Sequence, residues 1–174
     1  VTSINLERSW HFVHSEECWG GAASGICHAV NRPTDPGGAT IHGVAKNYWP
    51  ELWANGPPTV EDAKTLFYER FWLPCHCEAL PWPLCLVVVD WAYLSGEDNP
   101  ANALQTLAGL PKHDGDIGPG TVVAVRGWMA RLASESVLRA RRKEFRGNPN
   151  AKNNPGWFTR IDRVARAAGV LPPT

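Results

Sequence analysis

The nine residues Leu84–Ala92 (LCLVVVDWA) form the longest apolar stretch of the chain, interrupted only by Asp90. So continuous an apolar segment must be buried, which makes it a core element around which the rest is organised. Its β-branched centre, Val87-Val88-Val89, is compatible with a strand. The length of the wider segment Trp82–Leu94 and its Ala-Tyr-Leu ending favour a buried helix. It is too short to span a bilayer. A carboxylate inside such a helix needs partners, so Asp90 is expected to be hydrogen-bonded in the interior, with a second catalytic carboxylate as the alternative.

Helical signals dominate elsewhere. Leu6, Trp10, Val13 and Glu17 are spaced four, three and four residues apart, which puts them on one face of a helix over Ile4–Glu17. Residues 18–38 are Gly-rich and read as a long irregular loop. A helical stretch is expected over Ile41–Trp53. Another opens at Thr59, with Thr59 as N-cap and Asp62 three residues on, and carries Ala63, Leu66, Phe67 and Phe71 inward up to Pro74. Ser95–Pro100 is a polar break before a helix over Ala101–Leu107. The turn Asp114–Pro119 leads to a helix capped by Thr121 and running through Leu132, followed by an Arg-rich helix over Ser134–Phe145. Trp157–Ala168 is the last, stopped by Gly169. The expected class is mainly α, with short connections and no internal repeat.

Seventeen basic and 17 acidic residues give zero net charge, which argues against a nucleic-acid binder acting through a broad basic field. Between Arg126 and Arg166, basic residues strongly outnumber acids. That segment is either a solvated helix face or a surface suited to an anionic polymer. Nine Trp are unusual for 174 residues, and large aromatics serve both cores and sugar-stacking platforms. Val1–Leu6 lacks the basic-then-apolar pattern of a secretory leader. Of five cysteines, an odd count that leaves at least one thiol free, Cys18 and Cys27 flank a Gly-rich loop and could bridge. The one-residue spacing of Cys75-His76-Cys77 is wrong for a zinc pair, so buried free thiols are expected there.

Eighteen residues after Glu17 comes Asp35-Pro36-Gly37-Gly38-Ala39-Thr40, a tight bend that holds a carboxylate and a hydroxyl close together. Two acids and a hydroxyl are the parts that glycoside cleavage requires. Glu17, beyond the apolar face of Leu6, Trp10 and Val13, is the candidate general acid. Such an acid must hold its proton near neutral pH, which an apolar setting favours. Glu16, one residue off register, is its rival. Asp35 either orients water and stabilises positive charge or closes the turn. Thr40 either positions the water or caps the next helix. Tyr68, Trp72 and Tyr93 are candidate sugar-groove residues whose alternative place is the core, and His42 is a candidate substrate contact or a solvated loop residue. No Gly-x-Ser-x-Gly elbow is present, and adjacent Cys75 and His76 point apart, so neither serine nor cysteine hydrolysis is supported.

These residues occur within an ordered set of motifs. Phe12-Val13-x-x-x-Glu17 is followed by Asp35-Pro36-Gly37-Gly38-Ala39-Thr40-x-x-Gly43-Val44, Tyr68-x-x-x-Trp72 and Asp90-x-Ala92-x-x-Ser95-Gly96. Then come Ala103-Leu104-Gln105, Asp114-Gly115-x-Ile117-Gly118-Pro119-x-Thr121 and Gly156-Trp157-x-x-Arg160. Together they resemble glycoside hydrolase family 108, with a second half like the small peptidoglycan-binding-type domain fused to it. Two features depart from the family pattern. Glu17 is followed by Cys18-Trp19 rather than directly by Gly-Gly, and Leu94 stands where the family tends to have Asn.

The resemblance implies a lysozyme-like helical fold, with a catalytic part over residues 1–96 and a helical peptidoglycan-binding-like part over 97–174. It implies cleavage of the β-1,4 bond between N-acetylmuramic acid and N-acetylglucosamine, with Glu17, Asp35 and Thr40 in the family's catalytic order. No metal or organic cofactor is called for. The expected partner of this monomer is bacterial peptidoglycan, with no nucleic acid and no stable membrane insertion. For a phage endolysin, the expected location is the host cytoplasm before release to the wall. A lytic transglycosylase and a non-catalytic wall-binding module are the alternatives.

Overall fold

A computed structural model of the chain describes residues 3–18, 27–31 and 36–173. The fold is mainly helical and lysozyme-like, with seven α-helices and one small antiparallel hairpin among the described residues. The chain divides into two compact units, one of residues 10–68 and a larger one of residues 1–9 and 69–174.

In the larger unit, α3 (Leu84–Ser95) is the apolar segment described above, and Leu84 through Ala92 are all buried. Around it pack α4 (Asp98–Leu107), α6 (Ala130–Gly147) and α7 (Gly156–Ala168), with α6 also against α7. Each large apolar side chain removed from water in this way contributes about 1.5–3 kcal/mol. Asp90 is fully buried, as its apolar neighbours require, and two arginines meet it. Arg141 of α6 donates from Nη1 to Oδ2 at 2.7 Å, while Arg160 of α7 donates from Nη2 and Nε to Oδ1 at 2.8 and 3.0 Å. Burial favours the neutral acid, but Arg160 and Arg141 outweigh it and hold Asp90 below the ordinary carboxylate range. Asp90 is therefore an interior ion-pair partner.

Two boundaries in this unit differ from expectation. Thr121 does not cap a helix. Gly118 occupies the N-cap of α5 (Pro119–Val125), with Pro119 in the first turn, where its missing N–H costs nothing. Thr121 instead donates to the Asp116 carbonyl and accepts from Gln105 Nε2, and Gln105 also donates to Asp114 at 2.6 Å, so the two side chains fasten the Asp114–Pro119 turn. The break before α6 falls at residues 126–129 rather than after Leu132, because Met129 is extended. Cys75, Cys77 and Cys85 are buried free thiols, and burial pushes Cys85 up to about 11 and Cys77 well above its usual value.

In the smaller unit, α1 (Ile4–Glu17) enters with Trp10 and Val13 buried, and α2 (Val60–Phe67) buries Ala63, Leu66 and Phe67. The N-terminus of α2 is a capping box. The Thr59 hydroxyl accepts from the Asp62 N–H at 3.2 Å, and the Asp62 carboxylate accepts from the Thr59 N–H at 2.8 Å. After α2 the chain continues as a π-helical turn, Tyr68–Trp72.

The expected helix over Ile41–Trp53 is absent. In its place are β1 (Thr40–Ile41) and β2 (Val44–Ala45), paired Thr40 with Ala45 and Ile41 with Val44, followed by a 3₁₀ turn over Pro50–Trp53. His42 and Gly43 both have positive φ, 52° and 80°, which gives the tight two-residue turn matched to strand twist and stops helix propagation. Thr40 also bridges Val30 through a pair of backbone hydrogen bonds of 2.7 and 2.8 Å.

Candidate active site

The C-terminal turn of α1 carries the candidate acid. Glu17 is the last residue of the helix and is half-buried, one turn beyond His14. Glu16 is also half-buried. Trp10, on the preceding turn, stacks on the His14 ring at 4.8 Å between centroids and packs against Phe67 of α2 at 5.5 Å. This fixes the exposed edge of the His14 ring.

That edge meets the hairpin. His14 Nε2 and His42 Nδ1 lie 2.9 Å apart, a hydrogen bond in which one ring donates to the other. Burial, aided by His42 and His11, holds His14 below the usual imidazole range. Burial also lowers His42, against the opposing pull of Glu61. Two neutral imidazoles thus join the end of α1 to the turn of the hairpin. His42 is a helix–hairpin contact here and not an isolated loop residue.

The bend before the hairpin is built as its glycines suggest. Gly38 has φ 69°, and a Cβ there would come within 3.0 Å of Asn47 Nδ2. Asn47 donates from Nδ2 to the Pro36 carbonyl at 2.9 Å and from its backbone N–H to Gly37 at 3.0 Å, so the bend is folded against the strand exit. Thr40 opens β1 rather than capping a helix, and its hydroxyl donates to the Gly38 carbonyl at 3.2 Å. Asp35 lies outside the described residues.

The smaller unit therefore holds Glu17, Thr40, His42 and Tyr68, whose ring is partly exposed. Trp72 and Tyr93 belong to the larger unit. Trp72 is fully buried and donates its indole N–H to Glu78 at 3.2 Å, where Glu78 also accepts from the Ser3 hydroxyl. Tyr93 is half-buried on α3 and packs on Phe71 at 4.7 Å. His14 was not singled out by the sequence. Its position four residues after Trp10, on the turn before Glu17, was the available signal.

The fold is helical and lysozyme-like, and by its match to a family of such enzymes the chain is a glycoside hydrolase. Residues 21–96 match the model of the family described as Glycosyl hydrolase 108. The matched segment contains the hairpin, α2 and all of α3, and begins after Glu17. Over 94% of both chains the structure is similar to one described as "Structure of Brucella abortus SagA", with 26% sequence identity and a TM-score of 0.78. No curated protein matches the chain.

Proposed function

We propose that this glycoside hydrolase is an N-acetylmuramidase that cleaves the β-1,4 bond between N-acetylmuramic acid and N-acetylglucosamine in peptidoglycan. The observation that carries the reading is the half-buried Glu17, on a helix end joined by the His14–His42 bond to the hairpin that begins at Thr40. The Glycosyl hydrolase 108 match supports the reaction class.

In this mechanism Glu17 gives its proton to the leaving glycosidic oxygen. Asp35 and Thr40 orient the attacking water and stabilise the oxocarbenium-like centre, while Tyr68 contributes to the sugar-binding surface. In an endolysin setting, the protein would reach the wall from the host cytoplasm once the membrane is breached. No helix among the described residues is long and apolar enough to cross that membrane itself.

The test is mass analysis of purified peptidoglycan after digestion. Reducing muramic ends are the expected product. Anhydro-muramic ends would make the protein a lytic transglycosylase, and intact glycan bound to the protein would make it a wall-binding module.

A further inference from the structure

Among the described residues, His14, Cys27 and His42 bring their ligand atoms together, each within 4.8 Å of the others. All three residues are half-buried in the smaller unit. We propose that these side chains form a binding site for one zinc ion, with His14 Nε2, His42 Nδ1 and Cys27 Sγ as ligands.

The donor set fits that ion. Two imidazoles and a thiol, with no carboxylate, suit a borderline-soft cation and not calcium or magnesium. Zinc bonds of about 2.0 Å to nitrogen and about 2.3 Å to sulfur in tetrahedral geometry place ligand atoms about 3.3–3.6 Å apart. The two ring nitrogens, at 2.9 Å, need to open by a few tenths of an ångström, and the sulfur, within 4.8 Å of both, needs to move in by up to about 1.2–1.5 Å. These are rotamer-scale adjustments.

Two further observations point the same way. His42 is a non-glycine residue with φ 52°, and a left-handed backbone costs about 1–2 kcal/mol for such a residue. The two-residue turn that imposes this φ presents Nδ1 to His14. The His14 ring is already immobilised by stacking on Trp10. One of the two facing nitrogens carries the shared proton, so on binding zinc that ring passes the proton to its other nitrogen, and the Cys27 thiol gives up its own. Cys18, the residue after α1, donates its backbone N–H to the His14 carbonyl at 2.9 Å, and burial, with the Cys27 thiol acting electrostatically, pushes its own thiol up. The ion would bind the end of α1, Cys27 and the hairpin turn to one another. The site does not depend on the muramidase reading, and its test involves no substrate.

The test uses the whole chain, stripped with a chelator, reduced and titrated with zinc chloride against a chromophoric competitor. One equivalent is expected to bind with a submicromolar dissociation constant and to raise Tm. Cobalt(II) in its place should show tetrahedral visible bands together with a thiolate-to-metal charge-transfer band. Cys27→Ser should abolish the charge-transfer band, and both it and His42→Ala should weaken zinc binding by about a hundredfold or more. Circular dichroism of the metal-free variants checks their fold. Should either variant fail to fold, zinc protection of Cys27 from alkylation in the wild-type chain, mapped by peptide mass, is the second measurement. Sub-stoichiometric zinc at micromolar concentration, a cobalt spectrum without the thiolate band, no protection of Cys27, or a native Cys18–Cys27 disulfide that resists mild reduction would each overturn the proposal.

Discussion

Arg141 and Asp90 meet at 2.7 Å with neither side chain exposed to solvent, though they lie 51 residues apart in the chain on different helices. Arg160 completes the group on the carboxylate's other oxygen. Burying three ionised groups is costly, and the arrangement holds only because the carboxylate accepts from both guanidinium groups.

Asp90→Asn keeps the volume and removes the charge, which leaves two guanidinium groups facing each other in the interior. The expected loss is about 3–5 kcal/mol of folding stability, read by urea or thermal unfolding. A loss under about 1 kcal/mol would mean that water reaches the group and that it is not a dry triad.

The same carboxylate sets an acid limit. Because Asp90 is held below its unfolded value, its contribution is fully present above about pH 4 and is lost as the pH falls through the folded value. Stability measured from about pH 7 down to pH 2 should therefore fall more steeply for the wild-type chain than for Asp90→Asn. Parallel curves for the two would remove Asp90 from the account.

Glu17→Gln should reduce release of reducing muramic ends by about two to four orders of magnitude, the usual contribution of a general acid, with the circular dichroism spectrum unchanged. Glu16→Gln should be close to wild type. The reverse pattern would shift the catalytic register by one residue.

Gly38→Ala should cost about 1–2 kcal/mol, since alanine resists the left-handed conformation and its methyl group meets Asn47. Unchanged thermal unfolding would mean that the bend relaxes freely, and Thr40 would then have no fixed position from it.

Local signals served well where an element is decided by its own residues. The spacing of Leu6, Trp10 and Val13 gave α1 its bounds, Thr59 and Asp62 announced their capping box, and the need of Asp90 for interior partners followed from its neighbours. The helix expected at Ile41–Trp53 failed because two residues, His42 and Gly43, adopt positive φ and turn the chain back on itself. The β-branched Thr40, Ile41 and Val44 around them were the overlooked sign. Identities of distant partners were not legible at all. Nothing periodic in the chain ties Asp90 to Arg141 and Arg160, or His14 to His42, because such pairings arise only when helices and hairpin pack. The candidate site shares that limit, since Glu17 and Thr40 could be nominated by chemistry while the histidine bond that joins their elements could not.

The buried triad also imposes an order on synthesis. α3 carries an acid whose second cationic partner, Arg160, lies 70 residues further along the chain. While a ribosome is still making the segment before α7, Asp90 and Arg141 have no complete electrostatic partner set, and α3 is an apolar helix whose final neighbours do not yet exist. The larger unit can close only after translation has passed Arg160. Until then its most hydrophobic segment depends on provisional cover, and a chain terminated before Arg160 would keep that segment without its final neighbours.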